Sequence, residues 1–168
     1  MFPFKRRFHI LIVCRNNVTR SAFFEGYLIH YLRRYRPRAL RKIALRSAGV
    51  QASEGNSAHA VVQFIARREG FRLTGHRSTP LSDRLLKWAD LVLTMSAGQR
   101  DEILANWPET DGGKVYRLAD YGWGEEDGGD LDMPDPTGRE AEDFQGFVDR
   151  ARTEADRLLY ELVHRQII

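Results

Sequence analysis

Four short apolar runs, at about residues 8–13, 42–47, 91–95 and 115–118, alternate along this chain with longer stretches of helical period at about 20–34, 57–68, 80–89 and 97–107. Short runs without a two-residue alternation suit strands buried on both faces. Strands parted by helices build a parallel sheet, because a parallel neighbour needs a crossover and a right-handed helical crossover packs back onto the sheet. The expected fold is α/β: a single domain over residues 1–168, with a four-stranded parallel sheet, doubly wound with helices on both faces. At 168 residues the chain can bury one core and falls short of the ~250 at which cores divide. A Gly- and Asp-rich segment runs to about residue 138, and the stretch from Arg139 to Arg165 closes as a long amphipathic helix.

Composition narrows the function classes. A single cysteine, Cys14, supports neither a disulfide framework nor a cysteine-based zinc cluster, which favours a cytoplasmic location. The N-terminal "MFPFKRRFHILIVC" has the basic and apolar parts of a signal peptide, but its apolar run from Phe8 is too short and no cleavage site follows, so it is expected to be a strand. No run approaches the ~18 apolar residues of a membrane span, and no membrane partner is expected. The formal charge of +3, with "RRYRPRALRK" at 33–42 contributing much of it, points to anionic partners. Nucleic acid is the rival partner on charge alone; without a helix-turn-helix, zinc-finger or RNA-binding signature it is not the expected one.

Ligands of doubly wound sheets bind beyond the carboxyl ends of the strands, and Cys14 stands at such an end, just before a helix. Helix N-termini offer unpaired N–H groups and a partial positive charge, so the loop Arg15–Asn16–Asn17–Val18–Thr19 is suited to curl around a phosphate. The same field, with Arg20 nearby and Ser21 able to donate to sulfur, favours the thiolate of Cys14. The planar fork of Arg20 suits two phosphate oxygens at once. Taken alone, these residues equally suit a small cysteine ending a core strand and an arginine at a helix start.

The loop "CRNNVTRS" resembles the phosphate-binding loop of the low-molecular-weight protein tyrosine phosphatases. The resemblance continues in "SAGV" at 47–50, "GHRSTPLSDRLLKWADLVLTM" at 75–95 and "PDP" at 134–136, so it spans nearly the whole chain in order. It implies a phosphatase with no metal or cofactor, acting through a phosphocysteine on Cys14. Arg20 and the loop residues Arg15, Asn16, Asn17, Val18, Thr19 and Ser21 would bind the phosphoryl oxygens, and Asp135 would act as acid and then base. Ser47 and His76 match positions that support the loop. The implied substrate is a phosphorylated protein, most simply phosphotyrosine, or a small aryl phosphate; phosphate, sulfate or vanadate would occupy the site, and the chain would be a monomer or weak dimer. Two alternatives stand beside it: a protein arginine phosphatase of the same family, and a binding module that keeps the anion loop without turnover.

Several positions depart from the family pattern. Asn16 replaces a glycine and is expected to take its positive φ, which asparagine tolerates best after glycine. Thr19 replaces a second cysteine, so an oxidised Cys14 has no resolving partner in the chain, and Ala22 replaces a proline. Thr137 and Ser53 stand where aromatic walls would grip a phenyl ring, with Tyr121 and Trp123 as other rings in the same loop, and Asp130 and Asp132 as other acids. Val18 stands where the arginine-specific branch has threonine, which favours an aryl ester over a guanidinium. The disulfide relay of the related thioredoxin-coupled arsenate reductases needs three cysteines and cannot run on one.

Overall fold

The computed structural model of the chain describes residues 6–122, 131–138 and 141–168. Four strands, β1 (Phe8–Cys14), β2 (Ile43–Gly49), β3 (Leu91–Thr94) and β4 (Val115–Arg117), form one parallel sheet in the order β2-β1-β3-β4. Helices α1 (Arg20–Tyr35), α2 (Ala60–Arg68), α3 (Asp83–Trp88), α4 (Ala97–Asn106) and α5 (Ala141–His164) connect and cover it. This is the doubly wound α/β domain expected from the alternation.

The central strands β1 and β3 are nearly continuous apolar runs because both sheet faces are covered there, while the edge strand β2 carries the exposed Arg46. In β1, Ile10, Ile12 and Cys14 share one core cluster with Phe23, Phe24 and Leu28 of α1 and Phe147 and Leu158 of α5. Leu11 and Val13 point the other way and pack with Leu85 and Leu86 of α3 and Ile103 of α4. Cys14 is therefore the last side chain on the α1/α5 face, which sets it beneath the turn that leads into α1.

Two helices begin three residues later than the periodicity predicts, and local chemistry explains each shift. His59 caps α2, its Nδ1 accepting from the Val61 N–H at 3.3 Å. Pro80 instead joins the sheet in a parallel bridge with Gly49, and Ser82 caps α3 by accepting from the Leu85 N–H at 3.4 Å. Strand β4 ends at Arg117, one residue short of its predicted end, because Leu118 enters a 3₁₀ turn.

Strand β2 runs two residues past its predicted end, alongside β1 up to the Cys14–Gly49 pair. Beyond the ladder the Val50 N–H donates to the Cys14 carbonyl at 3.0 Å, and the Gln51 N–H to the Arg15 carbonyl at 2.9 Å. A side chain at position 49 would meet the Arg15 carbonyl oxygen at 2.6 Å, so glycine is what lets the loop after β1 lie against β2. At the far side, Arg157 of α5 donates to the Leu118 and Tyr121 carbonyls and pairs with the buried Glu154, tying α5 to the chain that follows β4. Among the described residues no helix is long and apolar enough to cross a membrane.

Candidate active site

Cys14 closes β1 with its side chain buried, and its sulfur is met from two directions. The Ser21 hydroxyl lies 3.0 Å from Sγ, and the Asn17 N–H donates to Sγ at 3.3 Å. Among the described residues the N–H groups of Arg15, Asn16, Val18, Thr19 and Arg20 find no acceptor in the protein. Unspent backbone donors around a sulfur at the start of a 16-residue helix form a cradle for a tetrahedral oxyanion. The cradle runs from Cys14 to Ser21.

Asn17 holds this loop in shape. It is fully buried, it is the loop residue with positive φ (54°), and all its polar atoms are engaged. Its Nδ2 donates to Ser21 Oγ and Ser47 Oγ at 2.9 Å each, and its Oδ1 accepts from the Thr79 N–H at 2.9 Å. Its carbonyl accepts from His76 Nε2 at 2.6 Å. The left-handed residue was expected at Asn16, where the family has glycine; the structure puts it one position later, where four partners offset the strain of that conformation. Ser47 and His76 both hydrogen-bond to Asn17.

Burial lowers the pKa of His76 below its ordinary 6.5, against the opposing pull of the Asn17 carbonyl. The unfolded chain then takes up a proton at a higher pH than the folded one, so this contribution to stability is present above about 6.5 and is lost as pH falls below it. We expect His76→Gln, which keeps a donor for Asn17 but does not titrate, to lose less melting temperature than wild type between pH 7.5 and 5.5. Equal acid-induced losses in the two proteins would contradict this placement of His76.

Sequence reasoning missed Glu25. Its Oε2 accepts from Ser47 Oγ at 2.5 Å, and burial raises the pKa of its carboxyl, opposed by the Ser47 hydrogen bond and the charge of Arg46. It continues the chain Asn17–Ser47–Glu25 behind the loop. Within "FFEGY" a glutamate on a helix reads as a solvated residue, and only the packing of α1 against β2 shows otherwise.

Asp135 and Arg20 meet at the mouth. Arg20 Nε lies 3.5 Å from Asp135 Oδ2, and its Nη1 donates to the Met133 carbonyl at 3.4 Å. Thr137 donates to Asp135 Oδ1 twice, from its hydroxyl at 2.6 Å and its N–H at 3.0 Å. Its hydroxyl also lies 3.4 Å from that of Thr19. So the residue that stands in place of an aromatic wall fastens the acid to the loop. Of the other rings and acids, Tyr121 is buried, edge-on to Tyr116 and beneath Arg165, and builds no wall. Asp132 accepts from the Ala97 N–H at 2.9 Å and pairs with Arg117, which commits it to the start of α4. Trp123 and Asp130 lie outside the described residues.

The slot beside the loop is lined by Asn16, Val18, Gln51, Asn56, His59 and the exposed Ser53. Arg15 donates to Gln51 at 3.1 Å, and Gln51 in turn to Glu102 at 3.1 Å, forming a polar rim. Among the described residues no three His, Cys, Asp or Glu side chains gather in a metal-holding group.

Residues 9–167 match the family described as low molecular weight phosphotyrosine protein phosphatase. A protein-arginine-phosphatase of Geobacillus stearothermophilus is 30% identical over 159 residues, spanning 95% of this chain and 99% of the relative. The low molecular weight protein-tyrosine-phosphatase Ptp of Acinetobacter johnsonii is 34% identical over 113 residues, 67% of this chain and 73% of that one. The crystal structure of a low molecular weight protein tyrosine phosphatase from T. tengcongensis superposes with a TM-score of 0.80 at 26% identity, covering 92% of this chain and 99% of the other.

Proposed function

The chain belongs to the low molecular weight phosphotyrosine protein phosphatase family, and from that membership and the geometry of its loop we propose that it hydrolyses phosphotyrosine in proteins through a phosphocysteine on Cys14. The observation that carries the reading is the Cys14 sulfur set inside a loop whose N–H groups are unspent, with Arg20 at its mouth.

The thiolate of Cys14 attacks phosphorus as the bond to the leaving oxygen breaks, and Asp135 gives that oxygen its proton. Arg20 turns from Asp135 to the equatorial oxygens, where its fork and the loop amides meet the charge of the transition state. Asp135 then takes a proton from water, which attacks phosphorus and releases Cys14 as thiolate. Ser21, within hydrogen-bond distance of Sγ, stabilises the sulfur as it leaves. The hydroxyl and N–H of Thr137 keep the Asp135 carboxyl turned to the cradle throughout.

Proton donation matters most for a poor leaving group. We expect Asp135→Ala to lower kcat/KM, which reports the first step alone, by about 10²- to 10⁴-fold on phenyl phosphate, and much less on p-nitrophenyl phosphate, whose leaving group departs without a proton. Equal losses on the two substrates would remove Asp135 from the role of acid.

For the substrate class, Val18 offers no acceptor to a guanidinium, while Thr137 and Ser53 supply no aromatic wall. We expect phosphotyrosine peptides to exceed phosphoarginine peptides in kcat/KM by no more than about tenfold, ~1.4 kcal/mol. A second reading, phosphoarginine, is favoured by the likeness to the Geobacillus stearothermophilus protein, and faster cleavage of phosphoarginine peptides would establish it. The proposal takes residues 1–168 as one domain, working in the cytoplasm as a monomer or weak dimer on phosphorylated proteins or small aryl phosphates, with phosphate, sulfate or vanadate as site ligands.

A further inference from the structure

Beside the residues that brace the phosphate loop, a cleft of about 1190 Å³ opens along the β2 edge of the sheet, between α1, the chain at 70–80 and the start of α3. Arg33, Arg46, Arg72, Arg77 and Arg84 line it, against two carboxylates, Glu25 and Glu54. Among the described residues none of these five arginines is in an ion pair. Arg46 lies over the Trp88 ring, and Arg77 donates to the carbonyls of Thr74 and His76. Five guanidinium groups at one concavity outnumber its two carboxylates, leaving an excess of positive charge that a multiply charged anion relieves. No lysine lines the cleft; arginine's planar fork matches phosphate oxygens two at a time.

The floor of the cleft is the bracing of the loop itself. Glu25, Ser47, His76 and Thr79 line it, and the last three hold Asn17 directly. A ligand seated there touches the residues that keep the Asn17 backbone in its left-handed conformation, with the loop and Cys14 on the far side.

We propose that this cleft is a second anion site, taking a chain of three or more linked phosphates, and that its occupancy is transmitted to the phosphate loop through Glu25, Ser47 and Asn17. A single phosphate is too small to meet arginines from α1, β2, the 70–80 segment and α3 together, whereas a phosphate chain reaches several at once. Its negative charge adds to the burial that already disfavours ionised Glu25, weakening the carboxylate that accepts from Ser47. Only the catalytic effect rests on the proposed phosphatase activity; binding does not.

The test is calorimetric titration of inorganic tripolyphosphate into the whole chain saturated with orthovanadate, which occupies the loop, repeated with Arg33→Glu/Arg72→Glu. Expected is one tripolyphosphate per chain in wild type, weakened at least tenfold in the double variant, with ATP binding alike because the phosphate chain is the part recognised. On p-nitrophenyl phosphate, tripolyphosphate is expected to lower kcat about fivefold, the worth of one weakened hydrogen bond to an ionised group. The double variant should keep its basal turnover and resist this effect. Binding that is absent, that survives in the double variant, that requires the nucleoside of ATP, or that is exceeded by an oligoglutamate peptide overturns the site. Binding with kcat unchanged overturns the coupling. A chain that hydrolyses nothing yet binds tripolyphosphate only with the arginines in place would sink the phosphatase reading and keep the site.

Discussion

Replacing Cys14 by serine is expected to lower kcat on p-nitrophenyl phosphate by at least about 10⁴-fold while leaving the melting temperature close to that of wild type. The two effects separate because of where the residue stands. The side chain is buried at the last pair of the β1–β2 ladder, and a hydroxyl fits the same space and keeps a partner in Ser21. Stability therefore changes little. Chemistry changes greatly, since a neutral hydroxyl is a far weaker nucleophile than a thiolate and a far poorer leaving group in the second step. Phosphate should still bind to the variant, because the unspent N–H groups of Arg15, Asn16, Val18, Thr19 and Arg20 remain. A wild type and a Cys14→Ser variant that bind phosphate equally and are equally inert would instead mark the chain as a phosphate-binding module.

Arg20→Lys is the second large effect expected, a loss of about 10³-fold in kcat/KM on the same substrate. Lysine keeps the charge, so Asp135 retains a cation at its side and the loop retains its net positive field. What lysine removes is the planar pair of donors that follows the equatorial oxygens as they flatten in the transition state. Arg20 is placed for this by being the first residue of α1, with its guanidinium between Asp135 and the Met133 carbonyl at the mouth of the cradle. Side-chain amines added to the medium would not replace the fork. A loss below tenfold would show that the cradle amides carry the charge alone and that Arg20 serves to hold Asp135.

Much of this arrangement was legible in the sequence, for identifiable reasons. The central strands β1 and β3 announced themselves because each is buried on two faces, which forces an apolar run such as "HILIV", while the edge strands β2 and β4 showed through their place in the alternation. The strand end and helix start around Cys14 and Arg20 left a plain core cysteine equally open, and the resemblance of "CRNNVTRS" to the family's loop is what singled the two residues out. What escaped depends on contacts between distant segments. The positive φ at Asn17 rather than Asn16 is set by Ser47, His76 and Thr79, which come from β2 and from the segment before α3. Glu25 gave no signal, since its role begins only where α1 packs on β2. Thr137 was read as a missing aromatic ring, and its hydroxyl on Asp135 shows a positive role that no spacing rule encodes. Within the basic stretch from Arg33 to Lys42, which gave only a net charge, Arg33 alone lines the cleft behind the loop.

The central claim is that Cys14 carries the phosphoryl group between the two steps, and it can be read directly. In Asp135→Ala, p-nitrophenolate still leaves but water is no longer activated, so the intermediate should accumulate. Acid quench within milliseconds of mixing with p-nitrophenyl phosphate, followed by peptide mass spectrometry, is expected to find one phosphoryl group per chain, on Cys14. A burst of p-nitrophenolate with no phosphorylated peptide, or with the label on Ser21 or any other residue, would contradict the account.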